Sequence, residues 1–70
     1  MSVSAGLGKL KQARKSLLVQ WDATQAAWTD DNARQFDEDV MTPLMSRLRQ
    51  VEQALMQMDV VLQKVRRDCE

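Results

Sequence analysis

The side chains able to do chemistry are few. They are one thiol (Cys69), an acidic run (Asp30, Asp31, Asp37, Glu38, Asp39) and two indoles (Trp21, Trp28); the 70 residues include no histidine. Without an imidazole there is no Ser–His or Cys–His pair and no base poised near neutral pH. A lone thiol with no histidine gives structural zinc no ligand set. It also excludes a disulfide within the chain. Calcium held in an EF-hand would need alternating oxygen ligands around a turn glycine and a distal glutamate, and the acidic run has neither. Glycine occurs only at positions 6 and 8, so there is no phosphate loop and no dinucleotide fingerprint. The expectation is a protein that is not an enzyme and holds no cofactor or metal.

These residues have simpler uses. Thr29 or Asp30 can cap the next helix by accepting from its free backbone amides, and the carboxylates suit the positive end of its dipole. Trp21 and Trp28 lie seven apart among leucines, which is core spacing rather than a platform for stacking bases. Met41, Met45, Met56 and Met58 fill core or make an adaptable binding face. Ten basic and ten acidic residues cancel, so no bulk charge draws the chain to nucleic acid.

The elements that position them are read from the apolar pattern. Leu44, Leu48, Val51, Leu55, Met58, Leu62, Val65 and Cys69 are spaced by four, then by alternating three and four, a stripe on one side of a helix. Leu7, Leu10, Leu17, Leu18, Trp21 and Trp28 mark an earlier helix. The pattern predicts one all-α domain over residues 1–70: a helix over about 5–28 with Ser4 as its cap, a turn at about 29–30, and a longer helix over about 31–68. Arg14 falls inside the first stripe, and there it must either snorkel to water or pair with a carboxylate of the facing helix. Pro43 interrupts the second helix, but Ala33, Phe36, Val40, Leu44 and Leu48 keep their phase across it, so a kink is expected rather than a break.

The helices differ in length, at about 36 Å and about 58 Å. A short turn folds them antiparallel, bringing Trp21 to Phe36 and letting the first helix run out near Leu55 or Met58. Met58, Val61, Leu62, Val65 and Cys69 are then the expected protein-interaction residues. So small a chain has a thin core, and the expectation is a homodimer completing a four-helix bundle, or another helical protein as partner. The long helix starts acidic and ends basic (Lys64, Arg66, Arg67), which favours an antiparallel dimer. A second expectation is a hairpin whose basic start, with Leu7, Leu10, Leu17 and Trp21, lies on an anionic membrane surface. No apolar run reaches the ~18 to 20 residues needed to span a bilayer, and Lys9, Lys11, Arg14 and Lys15 interrupt any signal-peptide pattern. The expected location is the cytoplasm, or outside it by export without a cleaved signal.

Trp28-Thr29-Asp30, followed by Ala33 and Phe36, resembles the turn of the WxG family of small helical hairpins linked to type VII secretion. Asp30 stands where that family has glycine, and the chain has no tyrosine for the family's C-terminal export motif. Trp28, Asp30, Phe36, Pro43, Leu44 and Cys69 together also resemble short bacterial helical hairpins of unassigned function. The resemblance implies a two-helix hairpin and, as a further alternative, a type VII-like secreted or secretion-associated protein; it carries no known activity across.

Overall fold

The first helix begins two residues earlier than expected, because Ser2 caps it. Ser2 is extended (φ −91°, ψ 155°), and its Oγ accepts from the Ala5 N–H at 3.1 Å. Ser4, the expected cap, instead lies within the first turn. In this computed structural model, which describes residues 2–69, helix α1 spans Val3–Ala27 and closes with the Trp28 N–H donating to the Thr24 carbonyl at 2.8 Å. Asp30 then starts the second arm. Its Oδ1 accepts from the Ala33 N–H at 2.9 Å, satisfying one of the free amides of helix α2 (Asp31–Phe36).

The arm continues through a π-helical turn, Asp37–Met41, into helix α3 (Thr42–Cys69) without leaving helical geometry. Pro43 has no N–H to give, and its ring crowds the carbonyl one turn back. A wider turn just before it relieves that crowding: the Thr42 N–H reaches back five residues to the Asp37 carbonyl. The chain is therefore unbroken at Pro43, as expected, but the phase is not kept. A π turn inserts one extra residue and rotates the helix beyond it by about 100°.

The face that meets α1 accordingly runs through Ala33, Met41, Met45, Leu48, Glu52, Leu55 and Asp59, all buried or half-buried. Val40 and Leu44, which the unshifted pattern turns inward, are exposed. On α1 the facing residues are Val3, Leu7, Leu10, Arg14, Leu17, Trp21 and Gln25, a regular sequence of steps of three and four. The two arms form an antiparallel helical hairpin measuring 58 × 17 × 12 Å. Its length is that of the longer arm. The start of α1 reaches further than helix lengths imply: Ser2, Val3 and Ser4 share a small cleft with Asp59, Leu62, Gln63 and Arg66. Leu62 thus lies beside α1, not beyond it.

Two polar contacts fix this packing. Arg14 Nε donates to Glu52 Oε2 at 2.6 Å, with side chains 15% and 8% exposed. The Trp21 indole N–H donates to Asp37 Oδ1 at 2.7 Å. Trp21 also meets Phe36, centroid to centroid at 5.2 Å, and Trp28 edge-on at 6.2 Å. Trp21 is buried. Trp28, expected on the inner stripe, sits at the end of α1 and is 38% exposed.

Candidate functional site

The apolar ladder of the long helix divides into two rails. Leu48 and Leu55 turn toward α1 and are half-buried. Leu44, Val51, Met58 and Val65 turn away, between 36% (Leu44) and 51% (Met58, Val65) exposed. Seven residues are nearly two full turns, so these four stand in a row along the outside of α3.

A second row borders the first. Val40, Arg47, Ala54, Val61 and Asp68 also recur every seven residues and are all exposed. Interleaved, the two rows read Val40, Leu44, Arg47, Val51, Ala54, Met58, Val61, Val65, Asp68, alternating steps of four and three. This is a complete heptad seam with no partner among the described residues. At its N-terminal end Val40, Pro43, Leu44 and Arg47 line a shallow groove.

Of the residues expected to bind a partner, Met58, Val61 and Val65 belong to this outer seam. Leu62 lies between it and the start of α1, and Cys69 is exposed at the end of α3. Val40, Leu44, Arg47, Val51, Ala54 and Asp68 are the members that sequence reasoning missed. It took the strongest ladder to point squarely at α1, and the extra residue of the π turn rotates it away. Glu52 was missed for the same reason: an inward Val51 leaves its neighbour outside. The signal available was the second row at the same seven-residue interval.

Three members of the acidic segment are occupied locally. Asp30 caps α2, Asp31 binds Arg34 at 2.7 Å, and Asp37 holds the Trp21 indole. Among the described residues, no three acidic or thiol side chains come together as a metal-holding group. An open groove of about 440 Å³ lies between the helices against Leu18, Trp21, Asp37, Met41, Met45 and Arg49. Asp37 and Arg49 both line it, and Asp37 Oδ1 accepts from the Trp21 indole N–H. No helix among the described residues is long and apolar enough to cross a membrane. Comparison with protein families, curated proteins and solved structures finds no match to this chain.

Proposed function

We propose that the protein works by helix–helix association through the outer face of α3, with a second copy completing a four-helix bundle. The observation that carries this reading is the row Leu44, Val51, Met58 and Val65, open to water along α3. Each such side chain left exposed forgoes about 1.5–3 kcal/mol of burial. A hairpin whose buried apolar residues are Leu7, Trp21, Ala33 and Met41 has little else to draw on. A bend of the long arm at Pro43 belongs to the same reading, because it curves the arm along a neighbouring helix.

Sedimentation equilibrium at tens of micromolar is the test. A species of twice the 8.0 kDa chain mass is expected, and a purely monomeric protein sinks the proposal. Val51→Asp should give a monomer that keeps its helical circular dichroism, since Val51 touches the outer face and not the hairpin seam. A Val51→Asp chain that remains fully dimeric would move the interface elsewhere.

A further inference from the structure

We propose that the outer seam of α3 docks on the same seam of a second copy, antiparallel, in the register that sets Met58 against Ala54 of the second copy and Arg47 beside its Asp68. This rests on the association reading above and adds orientation and register to it.

The two charged members of the seam carry the inference. Arg47 and Asp68 stand near opposite ends of an otherwise apolar row, and both are exposed. In a parallel pair, facing layers repeat the same residue, so Arg47 meets Arg47 and Asp68 meets Asp68 across the seam. Like charges held there are disfavoured. An antiparallel pair instead sets one row against the other. In the proposed register Val51 faces Val61 of the second copy, Met58 faces Ala54, and the twofold axis repeats each layer.

Size agrees with charge. The large Met58 and the small Ala54 share a layer, so the backbones approach evenly along the seam. At either end Asp68 of one copy comes level with Leu44 of the other, one turn from Arg47. A helical side chain leans toward its own N-terminus, and Arg47 therefore leans toward that aspartate. Sliding by one heptad in one direction leaves Arg47 against Met58 with no acid near. Sliding in the other carries Arg47 off the end of the described seam. Only one register pairs both charges.

Two measurements test this, both in chains carrying Cys69→Ser. First, Met58→Cys and Ala54→Cys chains are refolded together under mild oxidation. A disulfide joining the two different chains is expected in high yield, with little dimer from Met58→Cys chains alone. Predominant self-crosslinking of Met58→Cys chains would show parallel helices and overturn the register. Second, Arg47→Glu and Asp68→Arg should each weaken dimerisation by about tenfold, since each turns two attractive pairs into repulsive ones. The Arg47→Glu/Asp68→Arg double variant should recover most of that loss. Light scattering of the unaltered chain separates the two ideas. A monomer overturns association altogether, whereas a dimer indifferent to both charge swaps overturns only the register.

Discussion

Arg14 and Glu52 are where one side chain decides the most. Their charges meet at 2.6 Å in the seam between the helices, where both side chains are largely enclosed. Removing one partner leaves the other charge poorly hydrated, so Glu52→Leu should destabilise the hairpin by about 3–5 kcal/mol. Replacing both by leucine should be neutral or stabilising by about 1–4 kcal/mol. Urea melts at one fixed protein concentration measure this, and additive losses in the double variant would show that the pair is not coupled. Trp21 is the other fixed point. Trp21→Ala should cost about 3–5 kcal/mol, from lost packing against Phe36 and Trp28. Asp37→Ala should cost about 1–3 kcal/mol, because it orphans a buried indole N–H; an unchanged melt for either would remove that residue from the core. The need for a carboxylate opposite Arg14 was legible from its place in an apolar stripe. Which carboxylate was not, because the identity depends on how the facing helix is rotated.

At the scale of elements, both helices and the turn between them were legible from periodicity and caps. Asp30 starts the second arm, and a four-and-three spacing fixes helix over strand. Rotation of the long arm was not legible. It turns on one extra residue in the π turn at Asp37–Met41, and hydrophobic spacing alone does not register such an insertion, since Val40–Leu44 and Met41–Met45 are equally regular. That is why most of the outer seam was missed. Pro43→Ala restores the missing N–H, and so removes the reason for the π turn. Gly6 and Gly8 offer a cleaner test of the element itself. Both lie inside α1, and an added Cβ at either would meet nothing within 4 Å. Gly6→Ala and Gly8→Ala should therefore each stabilise the hairpin by about 0.8–1 kcal/mol. A loss of stability at either position, in a chain that stays helical, would show that another surface of the assembly approaches α1 there.

For the molecule as a whole, the long dimension is set by a single arm, and that makes orientation measurable. The 58 Å length leaves the acidic turn and the basic end of α3 far apart. An antiparallel pair sets each basic end (Lys64, Arg66, Arg67) toward the acidic start of its neighbour (Asp37, Glu38, Asp39). In the register proposed above Arg67 comes level with Met45, still about 9 Å along the helix from Asp39. These charges therefore act at a distance, screened by salt, and contribute less than the ~0.2–1 kcal/mol of an exposed contact pair. In the proposed dimer apolar burial drives assembly, and charge selects its direction. The lone thiol reports that direction. In the antiparallel register proposed above, the two Cys69 residues lie about 39 Å apart along the dimer. A disulfide needs Cα atoms within about 7 Å, so the bond cannot form within one dimer. Dilute protein treated with a mild oxidant should stay almost entirely free of covalent dimer on a non-reducing gel. Any that forms should increase with concentration, since it must join separate dimers. Rapid, complete crosslinking through Cys69, independent of dilution, would place the two ends together and require the long helices to run parallel.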